Sequence, residues 1–233
     1  PHAEILNSKA VQDYIKSKGY TLEVKVYQDY VTPNKALNDG GIDANYFQHI
    51  PYLEEEIATK GYDLAVAAKV HNEPLNLYGK TPKTDWSNTT VYIVNDASNV
   101  ERAYKLLVAE GLLDSYSVEN FNANKPVYES SIGVKVECIE PGLLNFKVNQ
   151  GGYAVIPGNY ALTAWGAEKA ASYKIFGEST EVAYPNIITV RTEDLESEKI
   201  KVLVEALAQP EVKAFIESTY GPTVNYVYES KLN

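Results

Sequence analysis

The chain has 233 residues, 45% of them apolar, which suffices for one sizeable core or two smaller ones, and it carries 31 acidic against 21 basic residues for a net charge of −10. That balance excludes a basic surface for nucleic acid or for an anionic membrane, and no apolar run approaches the ~20 residues that cross a bilayer. A single cysteine excludes an internal disulfide, and 19 tyrosines against 5 phenylalanines favour half-wet surfaces and polar pockets.

In chain order, "AEILNSKAVQDYIKSKG" places Ile5, Leu6, Ala10, Val11, Tyr14 and Ile15 on one face of a 3.6-residue period, predicting a helix that Gly19 closes. "YTLEVKVY" alternates as a strand does, "PNKALNDGG" reads as a short helix and turn, and "GIDANY" as a short buried strand. "PYLEEEIATKG" predicts a helix with Pro51 in its first turn, followed by the apolar strand "YDLAVAAKV". Strands alternating with helices imply a parallel sheet with crossover helices. The polar, turn-rich stretch "GKTPKTDWSNTT" marks a lobe boundary, after which the alternation resumes. "VYIV", "GVKVECI" and "YAVIP" are strands, while "ERAYKLLVAEGLL" and "PGLLNFKVNQGG" are helical. "GGIDANY" and "GGYAVIPGNY" echo each other, each running from a double glycine through a short strand to Asn-Tyr. "PNIITVR" is a further strand, and the last helical stretch breaks at Pro210.

Ligands of open parallel sheets gather at the carboxyl ends of strands, so the informative residues should follow strands. After "VYIV", Ser98 and Glu101 form an S-x-x-E capping box that puts Arg102 in a first helical turn, where backbone N–H groups and a guanidinium suit a carboxylate. The alternative is a solvated helix arginine. Tyr30, Phe47, His49 and Tyr52 follow the two strands of the first lobe and together could wall an aromatic pocket with one polar handle; alternatively the rings are core and His49 an interior histidine. Asn159 stands at the matching strand end of the second lobe, as a ligand contact or a turn residue. The chain contains no nucleophile elbow, phosphate loop or dinucleotide fingerprint, and Cys138 in a strand has no activating neighbour. His2, His49 and His71 lack close metal-ligand spacing, so neither a metal nor a cofactor is expected.

"PHAEIL", "DYVTPNKAL", "GGIDANYFQHIPYL", "AKVHNEPLNLYGK", "NDASNVERAYKLL", "AVIPGNYAL" and "YPNIITVR", in this order over nearly the whole chain, resemble the methionine-binding lipoproteins of bacterial ABC importers, the NlpA/MetQ family of substrate-binding proteins. The resemblance implies an α/β, two-lobed, periplasmic-binding-protein-like fold of type II, with a mainly parallel sheet flanked by helices in each lobe and a ligand cleft between them. Lobe I would take residues 1–80 and 185–233, and lobe II residues 81–184. It implies a non-enzymatic receptor for a free amino acid, methionine above all, with an ABC permease and its ATPase as partners. It also implies an extracytoplasmic location, with a signal peptide, a lipid-bearing cysteine and a first core strand upstream of "PHAEIL". By motif, Tyr30, Phe47, His49 and Tyr52 carry over as contacts of the ligand side chain and Arg102 as the partner of its carboxylate. One position departs: Pro157 stands where the family commonly has a ligand-binding Asn, so that hydrogen bond is lost or passes to Asn159. Another amino acid or a small dipeptide therefore stays open as ligand. The rivals from other classes are an enzyme using His49 as general base and a surface interaction protein.

Overall fold

The computed structural model describes residues 1–179 and 184–232, and the chain divides into two compact units, Pro1–Glu73 with Ala183–Asn233 and Pro74–Val182. The first unit opens with α1 (His2–Leu6) and α2 (Lys9–Ser17), where the periodicity predicts a single helix. Ser8 separates them, because its hydroxyl accepts a hydrogen bond from the Val11 N–H at 3.4 Å and so caps α2. Residues 20–27, expected as a strand, have no regular structure. An alternating pattern becomes a strand only against a partner, and this segment joins no ladder of the first unit's sheet. Asp29 then starts α3 (Thr32–Asn38) by accepting from the N–H groups of Val31 and Thr32 at 2.8 and 2.6 Å. After β1 (Asn45–His49) comes α4 (Ile50–Lys60), with Pro51 in its first turn and Gly61 closing it at φ 69°. β2 (Leu64–Asn72) leads to the first crossing.

The second unit comprises β3 (Asn76–Tyr78), β4 (Thr90–Val94), α5 (Ala97–Ala109), the small ribbon β5 (Ser115–Ser117) with β6 (Val127–Glu129), then β7 (Lys135–Ile139), α6 (Pro141–Asn149), β8 (Tyr153–Ile156), α7 (Gly158–Tyr173) and β9 (Lys174–Gly177). Because β3 pairs with β8 and β9, the turn-rich stretch 79–90 lies inside this unit and the first crossing falls earlier, between Glu73 and Pro74. The chain returns at Val182–Ala183, outside the described residues, to finish the first unit with β10 (Pro185–Arg191), α8 (Glu198–Leu207), α9 (Pro210–Tyr220) and β11 (Asn225–Ser230). Pro210 separates the last two helices, as expected.

The first unit's sheet has the order β1-β10-β2-β11, and each of its three ladders is antiparallel. The expected mainly parallel sheet is therefore corrected here. β1 and β2 both oppose β10, so they do run in the same direction, as a helical crossover through α4 requires. They are not neighbours, because β10 enters from far along the chain and lies between them. The second unit repeats this device within the order β7-β4-β8-β3-β9. β4 pairs in parallel with β7 and β8, as predicted, whereas β3 is inserted antiparallel between β8 and β9, the two strands joined by α7. The first unit's sheet is antiparallel and the second's is mixed, and in each unit the strand that splits a helix-linked pair is the first strand after a crossing. The echo between "GGIDANY" and "GGYAVIPGNY" acquires a structural counterpart, since β1 and β8 each flank an inserted strand and each lead into a helix.

Alternate residues of the second sheet supply two cores. Leu75, Leu77, Val91, Ile93 and Val155 pack with Val100, Ala103 and Leu107 of α5, while Tyr78, Val94, Ala154 and Ile156 pack with Leu144 and Val148 of α6 and Ala161 of α7. Gly177 of β9 is required by close approach, since a Cβ there would stand 1.8 Å from the Oδ1 of buried Asn76. Cys138 lies half-buried in β7, where burial pushes its thiol up to about 11, in keeping with a structural role.

The N-cap of α5 lies two residues before the predicted Ser98. Asp96 is its N-cap: Oδ1 accepts from the Asn99 N–H at 3.0 Å and from the Ser98 hydroxyl at 2.9 Å. A carboxylate complements the positive helix end as well as accepting the bond, which explains why it takes precedence over the serine. Asp96→Ala is expected to lower the unfolding free energy by about 1 kcal/mol, with a much smaller loss for Ser98→Ala. Urea denaturation of both variants checks this, and the reverse order of losses would return the cap to Ser98.

Candidate functional site

In the first unit the structure brings the four predicted residues together. The ring centroids of Tyr30, Phe47 and Tyr52 form a triangle with sides of 6.0, 6.1 and 6.1 Å, and His49 lies 6.4 Å from Tyr52. The Tyr52 hydroxyl donates to the Tyr30 carbonyl at 3.1 Å, which ties the segment before α3 to α4. Phe47 and His49 do not follow the strand, as expected, but belong to it. In the ladder with β10, Tyr46 faces Ile188 and Gln48 faces Ile187, so Phe47 is the extra residue of a β-bulge. The bulge puts Asn45 and Gln48, three apart, into one buried network. Asn34 donates to the Gln48 Oε1 at 2.8 Å, Asn45 donates to the Asn34 Oδ1 at 2.9 Å, and Gln48 donates to the same oxygen at 2.7 Å and to Thr189 at 3.2 Å. Packing of this kind fixes the bulge, and with it the direction in which Phe47 leaves the strand.

His49 is buried and caps α4: its Nδ1 accepts from the Tyr52 N–H at 3.2 Å. A neutral imidazole whose Nδ1 accepts carries its proton on Nε2, which is then a hydrogen-bond donor. In such a tautomer Nε2 suits recognition of an acceptor, while the basic lone pair on Nδ1 is committed to the helix cap. Tyr184, 5.5 Å from His49 by ring centroids, joins this aromatic group and was not singled out as a site residue. Its only signal was its place in "YPNIITVR", beside β10. A hollow of about 400 Å³ in this unit is lined by Tyr184 together with Ile50, Pro51, Lys69, Pro185, Val227 and Glu229, and by none of the predicted residues.

In the second unit, Arg102 and Asn159 lie on different helices, Arg102 in the second turn of α5 and Asn159 in the first turn of α7. The parallel neighbours β4 and β8 precede these helices, so both helix N-termini stand at the same end of the sheet. Arg102 is no solvated helix charge: it is 5% exposed and paired with Glu178, itself 6% exposed. Nε donates to Oε1 at 2.9 Å and Nη2 to Oε2 at 2.6 Å, while Nη1 donates to the Asn99 Oδ1 at 3.1 Å. Glu178 in turn accepts from the Leu75 N–H at 2.7 Å, and its own N–H donates to the Leu75 carbonyl at 2.9 Å. The forked pairing fixes the plane of the guanidinium. Glu178 escaped the sequence reading because it is separated from Arg102 by 76 positions.

The spacing of the histidines in the sequence carries no metal-ligand signal, yet the fold forms a second polar cluster. His2, His71 and Glu73 of the first unit come together, with the His71 Nε2 at 2.7 Å and the His2 Nε2 at 3.7 Å from the Glu73 Oε1. Burial lowers the His2 ring to about 4, against the opposing pull of Glu73. Burial alone would raise Glu73, but the two histidines beside it hold its carboxyl at about 2.

The sequence model of the NlpA lipoprotein family matches residues 1–227. The methionine-binding lipoprotein MetQ of Bacillus subtilis is 39% identical over 215 residues, covering 88% of this chain and 77% of that protein. The crystal structure of a lipoprotein from B. subtilis superposes with a TM-score of 0.88 at 36% identity, covering 98% and 95% of the two chains. A nutrient-binding protein from Burkholderia cenocepacia, solved bound to methionine, superposes with a TM-score of 0.86 at 30% identity, covering 97% and 95%.

Removing one partner of the Arg102–Glu178 pair strands a buried charge. Glu178→Ala is therefore expected to cost about 3–5 kcal/mol of stability, while Arg102→Leu combined with Glu178→Leu recovers most of that loss. Urea unfolding of the single and double variants checks both, and a Glu178→Ala variant as stable as the parent would refute the pairing.

Proposed function

The chain belongs to the NlpA lipoprotein family, and on that premise we propose that it is a binding protein for a free amino acid, methionine in the first place, which it delivers to an ATPase-driven membrane permease. We place it outside the cytoplasmic membrane, held there by a lipid anchor, and without catalytic activity. The observation that carries the reading is the triangle of Tyr30, Phe47 and Tyr52 beside a histidine whose Nε2 is a donor. A thioether gains about 0.3–1.5 kcal/mol from contact with an aromatic ring, more than its apolar area alone provides, so such rings select methionine over an aliphatic side chain. Arg102, oriented by Glu178, takes the ligand carboxylate, and Asn159 supplies the polar contact that Pro157 cannot make.

The test is calorimetry with the amino acids and small methionine-containing dipeptides, after unfolding and refolding the protein to strip carried-over ligand. Methionine is expected to bind one to one and norleucine, which lacks the sulfur, more weakly. Loss of a charge-assisted contact corresponds to about 1.5–3 kcal/mol, so Arg102→Ala should weaken binding by roughly 10–100-fold. Phe47→Ala should weaken methionine more than it weakens alanine. Tight binding of a dipeptide alone would move the ligand class, and the absence of binding by any of these compounds would end the reading.

A further inference from the structure

A separate site of different chemistry lies in the first unit, where residues far apart in sequence converge. His2 is the first residue of α1, His71 lies near the end of β2, and Glu73 is the last residue before the crossing. One ligand-type atom from each of the three lies within 4.8 Å of the others. We propose that the imidazoles of His2 and His71 and the carboxylate of Glu73 bind a divalent transition-metal ion of the zinc class.

The donor set comes first. Two imidazole nitrogens and one carboxylate oxygen form a borderline combination that suits zinc better than calcium or magnesium, which prefer oxygen alone. The positions come next. Zinc held at about 2.0–2.2 Å by tetrahedral ligands sets those ligand atoms about 3.3 Å apart. Here the Glu73 Oε1 stands 2.7 Å from one imidazole Nε2 and 3.7 Å from the other, so these two distances straddle the requirement, and with all the ligand atoms within 4.8 Å of one another side-chain rotation closes the rest. His71 and Glu73 are two apart on an extended chain and therefore project to the same side.

Outer partners complete the arrangement. The second ring nitrogen of His71, Nδ1, is hydrogen-bonded to the Tyr46 hydroxyl, the kind of contact that orients a ligating histidine and fixes its tautomer. The His2 Nε2 is hydrogen-bonded to the Asn186 Oδ1 at 2.9 Å, which holds the ring over the carboxylate until a metal takes its place on the nitrogen. The rings of His2, Tyr46 and His71 pack together at centroid distances of 4.8, 5.0 and 5.3 Å, with His71 and Glu73 buried and the His2 side chain only 15% exposed. Burial of a carboxylate between two imidazoles is also the setting in which a cation offsets the cost of desolvation.

The experiment is calorimetric titration of the tag-free, chelator-treated full chain with Zn²⁺, with thermal unfolding as a parallel readout. One equivalent is expected to bind saturably and to raise the melting temperature, and X-ray absorption of the loaded protein should show scattering from two imidazoles. Loss of an outer partner alone typically weakens a metal site by about 10–100-fold, so His2→Asn, at the accessible side of the cluster, should weaken binding by more than that while leaving the circular dichroism spectrum unchanged. Glu73→Gln should do the same, and if that variant does not fold, His2→Asn still decides. Zinc bound as tightly by His2→Asn as by the parent, or no saturable equivalent in the parent, would overturn the proposal.

Discussion

Each unit depends on a strand that arrives from outside its own run of helices and strands. β1 has β10 as its ladder partner, and β3 bridges β8 and β9; both β10 and β3 follow directly on a crossing. A helix-linked pair of parallel strands would ordinarily lie side by side. Here the pair is wedged apart, and the inserted strand satisfies the backbone groups on both of its edges. Two of the polar side chains around the candidate residues are held at these ladders. His49 faces Asn186 across the β1–β10 pairing, and Glu178 exchanges backbone and side-chain bonds with Leu75 at the start of β3. Loss of either inserted strand would therefore remove both a sheet partner and the frame of a polar side chain.

Within that frame, two different devices aim side chains. In the first unit it is the bulge at Phe47, stabilised from beneath by Asn34, Asn45, Gln48 and Thr189, of which Asn34 and Thr189 are fully buried. A network whose donors and acceptors meet each other can be buried without large cost, and it rejects alternative registers because a slip of one residue would turn the amides outward. In the second unit it is a buried ion pair. Pairs of this kind add little net stability compared with apolar residues of similar size. What the fork of Glu178 provides is orientation: it fixes the guanidinium plane on a helix whose start is itself set by Asp96.

The local devices were largely legible in the sequence. The helical period, Pro51 and Gly61 around α4, and the break at Pro210 describe short-range chemistry, and short-range chemistry is what periodicity records. The grouping of Tyr30, Phe47, His49 and Tyr52 was also legible, through their placement beside neighbouring elements and through resemblance. What escaped was of longer range or finer scale. Strand-helix alternation encodes that β1 and β2 run in the same direction but cannot reveal that β10, more than a hundred residues away, separates them. Residues 20–27 have the alternation of a strand yet no ladder, because a pattern states a preference and not a partner. The bulge left no compositional mark, and the cap at Asp96 was passed over because Ser98 fits the capping-box pattern equally well on paper.

The same difference in range explains why the histidines misled. Metal-ligand spacing is a sequence signal only when the ligands share a helix or a tight loop, as two histidines four apart do. His2 and His71 instead meet because α1 lies against the end of β2, and Tyr46 of β1 closes on the same ring. Tyr46 neighbours Phe47 at the bulge, so the backbone irregularity that turns a phenylalanine toward the aromatic triangle also holds its preceding tyrosine against the histidine cluster. One extra residue in one strand thus serves two side-chain clusters of different chemistry, with Tyr46 and Phe47 sent to different neighbours by the geometry of a single bulge.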